Sequence, residues 1–272
     1  MEIGRRSDAT AEEVRWWDDL CRETTIAMEG YCMPFVSPIS HAISEEEGRL
    51  EGTGSYLELA GRRWLISNEH VLRDWETRQF THQFDGCDEV FPLEGGPLAI
   101  EKHPIDASIW EIPDEVWQRH PHHAQPIAAS RLAERHAPVP GELLFFCGFP
   151  QQRSVFSYQT LVSRATQLVT QECRPPTVDD LHPNLVLVAF SPEHARSVDP
   201  SGGVPLSNPP GISGSLVWNT RRLECHQQRR RWSPDIAQVT GMVCRWDPPL
   251  SAVQAIRIEV LRDFLARHMP CS

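Results

Sequence analysis

The sequence predicts a mostly β protein, built from two six-stranded antiparallel β-barrels with a cleft between them and a helix near each end. Short apolar or alternating runs recur along the chain between glycine-rich turns, as is typical of strands. The 23 prolines interrupt any long helical pattern. A polar stretch over about residues 114–139 separates two strand-rich halves, and each half is long enough for a six-stranded barrel.

The first predicted element is an amphipathic helix over residues 11 to about 23, within an N-terminal helical extension of residues 1–29. Thr10 and Glu13 have the spacing of a capping box, and the apolar residues that follow recur at helical spacing. We expect this helix to pack on the outside of the main body.

The barrels are expected at residues 30–118 and 141–272, joined by a linker at 119–140. The strand candidates are residues 56–59, 63–66, 98–100, 143–146 and 185–190. Glycine-rich turns are predicted at 52–54, 94–97, 148–150 and 201–203. A second helix is predicted near the end of the chain, where one face carries Ile256, Val260, Leu261, Phe264 and Leu265.

The composition limits the partners and the compartment. The formal net charge of −11 argues against nucleic acid or an anionic membrane as the main partner, because phosphate binding needs a dominant basic surface. Residues 1–20 contain no signal-peptide pattern, and no run is apolar for long enough to span a bilayer, so we expect a cytoplasmic protein. The eight scattered cysteines are therefore interpreted as reduced thiols.

Three short motifs place a histidine, an aspartate and a serine in that order along the chain. They are SNEH at residues 67–70, IDASI at 105–109 and GISGS at 211–215. A serine hydroxyl is a poor nucleophile at neutral pH, so it needs a histidine to take its proton and a carboxylate to hold the imidazole in the right tautomer. The three motifs together suggest the triad of a serine hydrolase.

The candidate triad is His70, Asp106 and Ser213. His70 would deprotonate Ser213, whose oxygen attacks a carbonyl carbon, while Asp106 stabilises the imidazolium that forms. Three other acids compete for the role of Asp106, namely Asp74, Asp85 and Asp88. The chemistry requires no cofactor and no metal.

With these motifs the chain resembles the trypsin-like serine peptidases of chymotrypsin fold, particularly the disulfide-free bacterial kind. The matching segments span roughly residues 30–268 and are GTGSY at 52–56, WLISNEHVL at 64–72, IDASIW at 105–110, GFP at 148–150, GISGSLV at 211–217 and TGMV at 240–243. The resemblance implies an endopeptidase that acts on a protein or peptide substrate. It also implies an oxyanion hole made by the backbone N–H groups of Gly211 and Ser213, with Gly211 at positive φ.

The expected substrate pocket differs from that of secreted family members. Ser207 matches the position at the pocket base where an acid would select arginine or lysine, so tryptic specificity is not supported. Cys244, Arg245 and Trp246 match the pocket wall, and the last two are bulkier than is usual in secreted members. A charge could still come from Asp247 or from a loop.

Two further departures concern activation and compartment. Ile212 stands where secreted members carry an aspartate that pairs with a newly cleaved N-terminus, so activation by that route is not expected. Val71 replaces the cysteine that often follows the catalytic histidine, which is consistent with an intracellular chain.

Two other patterns have a structural as well as a functional explanation. The histidines at 120, 122, 123 and 136 match no zinc spacing, and a polar loop between the barrels explains them. The arginines within residues 221–231 predict a solvated surface loop, with partner docking or processing as the alternatives. Three roles are considered for the N-terminal helix. It is expected to be a packed structural helix, and the alternatives are a regulatory prosegment and a dimer contact.

Three functions are weighed. The first is a serine endopeptidase that acts by limited cleavage, and the resemblance implies a role for such an enzyme in bacterial antiviral defence. The second is an esterase of the α/β-hydrolase class, which is disfavoured because its order is serine, acid, histidine and because Ser215 stands at the second glycine of its Gly-x-Ser-x-Gly motif. The third is a protease-fold binding module that is catalytically silent or is activated by a regulatory protein partner.

Overall fold

A computed structural model of the chain describes residues 10–44, 47–157, 160–173, 181–192, 195 and 209–269. In these residues the protein is mostly β with a few helices, as predicted. The helices are α1 (Ala11–Cys32), α2 (Glu69–Leu72), α3 (Asp114–Trp117), α4 (Arg222–Gln227) and α5 (Ile258–His268). The strands are β1 (Val36–Ala42), β2 (Gly48–Leu59), β3 (Arg62–Ser67), β4 (Phe80–Gln83), β5 (Val90–Pro92), β6 (Ala99–Glu101), β7 (Ala107–Ile112), β8 (Ile127–Ala128), β9 (Leu144–Gly148), β10 (Ser154–Ser157), β11 (Thr160–Ser163), β12 (Thr166–Thr170), β13 (Leu185–Ala189), β14 (Leu216–Asn219), β15 (Gln238–Asp247) and β16 (Ala252–Arg257).

Two antiparallel sheets and one hairpin organise these strands. The first sheet has the order β5-β4-β1-β2-β3-β7-β6, and β8 joins it by pairing in parallel with β2. The second sheet has the order β12-β9-β14-β15-β16-β13. Strands β10 and β11 form the separate hairpin. All five strand candidates from the sequence overlap strands of this set, in β2, β3, β6, β9 and β13.

The described pairings do not show two closed six-stranded barrels. In the second sheet the edges do meet, because the chain after β12 bridges β13 between Glu172 and Val188 and the N–H of Cys173 donates to the carbonyl of Leu187 at 2.9 Å. The first sheet has eight strands, since the short β5, β6 and β8 extend it. Within the described residues, no pairing joins its edge strands β5 and β6.

Apolar side chains of both sheets pack into buried cores. In the first half an aromatic core surrounds Tyr56, whose hydroxyl lies 2.9 Å from Nδ1 of His82. Burial, reinforced by the nearby His122, lowers the pKa of His82 to about 3, so this imidazole is neutral. A larger cluster includes Leu57 from the first sheet, Trp218 from the second sheet, and residues of α1 and α5. The two sheets and both terminal helices therefore share buried surface.

Helix α1 begins as predicted and continues about nine residues further than predicted. At its start, the hydroxyl of Thr10 accepts from the N–H of Glu13 at 3.2 Å, and the N–H of Thr10 donates to Oε2 of Glu13 at 2.7 Å, which confirms the capping box. The helix continues through the β-branched Thr24 and Thr25, whose hydroxyls donate to carbonyls one turn earlier. The helix thus reaches Cys32 and buries one face against the second sheet.

The C-terminal helix is also found, but it begins after Ile256. That residue lies in β16, where it pairs with Met242 and with Leu185 in the two flanking strands. Helix α5 buries Leu261, Phe264 and Leu265, while Val260 is half-buried. The apolar face was therefore predicted correctly except for its first member.

The arginine-rich segment contains α4, where the sequence predicted only a surface loop. The carboxylate of Glu142 is buried and accepts from the N–H groups of Leu223 and Glu224, each at 2.9 Å. These N–H groups belong to the first turn of α4, which has no hydrogen bond from its own N-cap side chain. Arg222 also pairs with Glu23 of α1 at 2.8 Å, so an ion pair links α4 to α1.

Replacing Glu142 with alanine is expected to lower the free energy of unfolding by about 2 to 4 kcal/mol, because the buried N–H of Leu143 and the partly buried N–H groups of Leu223 and Glu224 lose their acceptor. Urea unfolding followed by circular dichroism measures this change. Alanine at Glu58, an exposed residue of β2, is the control and is expected to change stability by less than about 0.5 kcal/mol. Equal effects of the two substitutions would contradict the capping role of Glu142.

Candidate active site

The pairing of β3 with β7 brings the histidine and aspartate motifs together. Ser67 at the end of β3 pairs with Ser108 near the start of β7. The hydroxyl of Ser108 donates to the carbonyls of Ser67 and Asn68, and the side-chain amide of Asn68 donates to the carbonyl of Asp106 at 2.9 Å. These bonds fix the turn before β7 against the start of α2, which carries His70.

His70 and Asp106 form a close pair. Nδ1 of His70 lies 2.8 Å from Oδ2 and 3.1 Å from Oδ1 of Asp106. Oδ1 also accepts from the backbone N–H of His70 at 3.1 Å. The backbone of Asp106 has a φ of +47°, a left-handed conformation that aspartate tolerates better than most residues. Because both carboxylate oxygens face Nδ1, the proton of a neutral imidazole is favoured on Nδ1, and Nε2 is left free to accept one.

The loop that carries Ser213 is anchored to the first sheet through one residue of β2. The N–H of Thr53 donates to the carbonyl of Ser213 at 2.8 Å, and the hydroxyl of Thr53 donates to the carbonyl of Gly211 at 2.9 Å. On the other side, Ile212 is buried in the core of the second sheet. Gly211 has a φ of +101°, which confirms the expectation of a positive φ.

A cavity of about 390 Å³ lies between segments of the two halves and gathers most of the predicted site. The sequence-predicted residues that line it are His70, Asp106, Ser213, Cys244, Arg245 and Trp246. Gly211 adjoins this wall through Ile212, and the predicted pocket base Ser207 lies outside the described residues. Within the described residues no hydrogen bond links Ser213 to His70, and Oγ of Ser213 instead makes a long 3.5 Å contact with the carbonyl of Cys244.

The thiol of Cys244 is the other potential nucleophile in the cavity. Burial, followed by the charge of Asp106, raises its pKa to about 12. Its Sγ lies 3.4 Å from the carbonyl of Gln254, a distance suited to a donated S–H bond. A thiol in this state stays protonated at neutral pH, and the thiolate is the reactive form of cysteine. Cys244 is therefore suited to lining the cavity rather than to attack on a substrate.

Sequence reasoning missed two residues of the site. Residues 52–54 were predicted as a turn, but they lie within β2, where Thr53 holds the serine loop. The glycines on either side were a usable signal, because a Cβ on Gly52 would meet the side chain of Val71 at 2.7 Å. Glu69 stands in the histidine motif without an assigned role, and it lines the cavity.

The competing residues lie elsewhere in the described part of the chain. Asp74, Asp85 and Asp88 do not line the cavity, and Asp74 faces Arg78 at 3.5 Å. The histidines of the linker have separate partners rather than a shared site. His120 faces Glu89, His122 faces the carbonyl of Trp117, and His136 faces Thr240 and Glu172. Among the described residues no group of His, Cys, Asp or Glu side chains is arranged to hold a metal ion.

Two global features complete the description. The seven cysteines in the described ranges are free thiols. No helix in those ranges is both long and apolar enough to cross a bilayer.

Comparison with known proteins gives only weak likenesses of fold. No protein-family model and no curated protein matches the chain. Among solved structures, the active form of the Rv3671c protease from M. tuberculosis is 14% identical with a TM-score of 0.46, over 90% of this chain and 85% of that chain. A chain from a study of the coupled folding and binding of the disordered VPg protein of Sesbania mosaic virus is 11% identical with a TM-score of 0.46, over 88% of this chain and 91% of that chain. Both likenesses are too weak to transfer residue roles.

Proposed function

We propose that the protein is a serine endopeptidase that uses Ser213 as nucleophile, His70 as general base and Asp106 as the group that orients His70. The observation that carries this proposal is the 2.8 Å contact between His70 Nδ1 and Asp106, with Ser213 lining the same cavity. A histidine oriented in this way presents Nε2 as the base that a serine nucleophile needs.

In the proposed mechanism, Nε2 of His70 takes the proton of the Ser213 hydroxyl as Oγ attacks the carbonyl carbon of a peptide bond. The imidazolium that forms is stabilised by Asp106 and then gives its proton to the leaving amine, which yields an acyl-enzyme. Water hydrolyses the acyl-enzyme by the same route in reverse order. Ser213 must first leave the carbonyl of Cys244, and a 3.5 Å contact costs little to break.

The oxyanion of the tetrahedral intermediate is proposed to bind the N–H groups of Gly211 and Ser213. The carbonyls of these two residues accept hydrogen bonds from Thr53, which anchors the backbone of the loop on the C-terminal side of each N–H group. Fixed donors stabilise developing charge without reorganisation during the reaction.

The substrate pocket is proposed to use Cys244, Arg245 and Trp246 as one wall and Ser207 as its base. The first three line the cavity, and Ser213 contacts the backbone of Cys244. Two barrels with the substrate cleft between them remain the architecture that we propose for the whole chain.

A partner-activated or silent module is the second candidate function. It is favoured by one observation, namely that the hydroxyl of Ser213 contacts Cys244 and not His70 in the described residues. In that case a regulatory protein partner would turn Ser213 toward His70. The proposed setting is limited cleavage of a protein substrate in the bacterial cytoplasm, as part of antiviral defence, and it rests on the sequence resemblance alone.

A fluorophosphonate probe tests both candidates. For the active enzyme, intact mass and peptide mapping are expected to show one probe molecule on Ser213 of the wild type and none on Ser213→Ala. His70→Ala is expected to slow labelling by at least about 100-fold, because the general base is lost. Ser163→Ala, a half-buried serine of the β10–β11 hairpin, is the control and should be labelled at the wild-type rate. Labelling at another serine would contradict the triad, and labelling only after a partner is added would favour the second candidate.

A further inference from the structure

Glu69 is a buried acidic residue at the edge of the candidate catalytic cavity. Its side chain is only 8% exposed, yet it lines the same cavity as His70 and Ser213. Its one ion-pair contact in the described residues is with Arg73, at 3.5 Å, and no hydrogen bond to either of its carboxylate oxygens is formed there. The side chain is therefore mostly enclosed, while its carboxylate has one long contact with the protein in the described residues.

The carboxylate of Glu69 has few partners within the protein. A carboxylate can accept several hydrogen bonds, and close, well-oriented donors are the partners that bind it strongly. The side chain of Arg73 is 55% exposed, so its guanidinium is largely hydrated and is free to turn away into water. A carboxylate in this position is ready to accept a better donor from within the cavity.

The other charged groups around the cavity do not fill this role. Asp106 is committed to His70 through both of its oxygens. Arg245 is exposed and makes no ion pair in the described residues, so its guanidinium is hydrated. His103 also lines the cavity and is exposed. Glu69 is thus the enclosed acidic residue of the cavity whose carboxylate can still bind a hydrogen-bond donor of a ligand.

We propose that Glu69 determines substrate specificity by binding a basic side chain of the peptide. This inference rests on the proposed function. Glu69 belongs to α2, whereas the proposed pocket wall of Cys244, Arg245 and Trp246 belongs to β15 on the other side of the cavity. The lysine or arginine that Glu69 selects is therefore a neighbour of the residue that contacts the β15 wall. The substrate class is a peptide with a basic residue next to the one that fills the pocket.

The role of Arg73 makes the inference testable, because the two possible roles of Glu69 predict different results. If Glu69 serves only to pair with Arg73, removing either partner has the same effect on the protein and no effect on substrate choice. If Glu69 binds the substrate, Arg73 competes with the substrate cation. Removing Glu69 and removing Arg73 then change the substrate preference in opposite directions.

The experiment measures kcat/KM of the full chain on a peptide library. Each position from three residues before the scissile bond to two after it is varied among arginine, lysine, glutamine and norleucine. Wild type is expected to prefer a basic residue over norleucine at one position by at least about 10-fold. Glu69→Gln should reduce this ratio to about 1, Glu69→Asp should keep part of it, and Arg73→Gln should raise it about 3-fold or more.

Two results would overturn the inference while leaving the enzyme assignment intact. One is wild type that is labelled by the fluorophosphonate at Ser213 but shows no preference for a basic residue. The other is a parallel change of the ratio in Glu69→Gln and Arg73→Gln. Thermal unfolding of each variant shows whether it is folded, and a partial preference in Glu69→Asp covers the case in which Glu69→Gln fails to fold. Wild type that is neither labelled nor active would overturn the proposed function and this inference together.

Discussion

Replacing Asp106 with asparagine is expected to lower kcat by about 10⁴-fold and to leave the fold intact. Oδ1 of Asp106 accepts from the backbone N–H of His70, so the oxygen of an asparagine would keep that place. Its amide N–H₂ group would then face Nδ1, where Oδ2 now lies at 2.8 Å. A donor at this place makes Nδ1 an acceptor and moves the imidazole proton to Nε2. Such a histidine cannot accept the proton of Ser213.

The rate of peptide cleavage, or of fluorophosphonate labelling where no substrate is known, measures this loss. A 10⁴-fold decrease corresponds to about 5.5 kcal/mol of transition-state stabilisation. Asp74→Asn is the matched control, because Asp74 competes for the role in the sequence but faces Arg78. A large loss in Asp74→Asn, or a loss below about 10-fold in Asp106→Asn, would show that Asp106 does not orient the base.

The parts of the fold that depend on local patterns could be predicted from the sequence. The capping box at Thr10, the positive φ at Gly211 and the apolar strands are fixed by a few neighbouring residues. The end of α1 was predicted too early, because the apolar residues that define the helical pattern stop at Leu20 and Cys21. The helix continues for about two more turns, in which Met28 and Cys32 are buried.

The parts that depend on distant contacts could not be predicted. The hydroxyl of Thr53 bonds to Gly211, which is 158 positions away, and accepts from the N–H of Phe149, which is 96 positions away. The pairing of β8 with β2 is another contact between distant segments, because α3 and several strands lie between the two in the chain. The three residues of the candidate triad could be singled out because they stand in short motifs, and their role stays a prediction. The support by Thr53 and the burial of Glu69 could not be predicted, because they depend on how the halves pack.

Replacing Gly214 with alanine is expected to abolish labelling of Ser213 and to lower the free energy of unfolding by about 3 kcal/mol or more. Gly214 has a φ of +90°, and a Cβ there would collide with the carbonyl oxygen of Thr53 and with Oγ of Ser67. The left-handed backbone alone costs about 1 to 2 kcal/mol, and the collision with backbone adds about as much again. Thr53 cannot move aside without breaking its bonds to Ser213 and Gly211.

Gly61→Ala separates the effect of backbone strain from the effect of this close approach. Gly61 also has a positive φ, of +72°, but a Cβ there would meet nothing within 4 Å. This variant should lose about 1 to 2 kcal/mol and keep the wild-type rate of labelling, since only the backbone penalty applies. Urea unfolding and fluorophosphonate labelling measure both quantities in the two variants. If both variants lose the same stability and both are still labelled, the approach of Thr53 to the serine loop does not hold Ser213 in its reactive position. If Gly214→Ala alone loses labelling, the nucleophile depends on a contact that β2 makes across the interface between the halves.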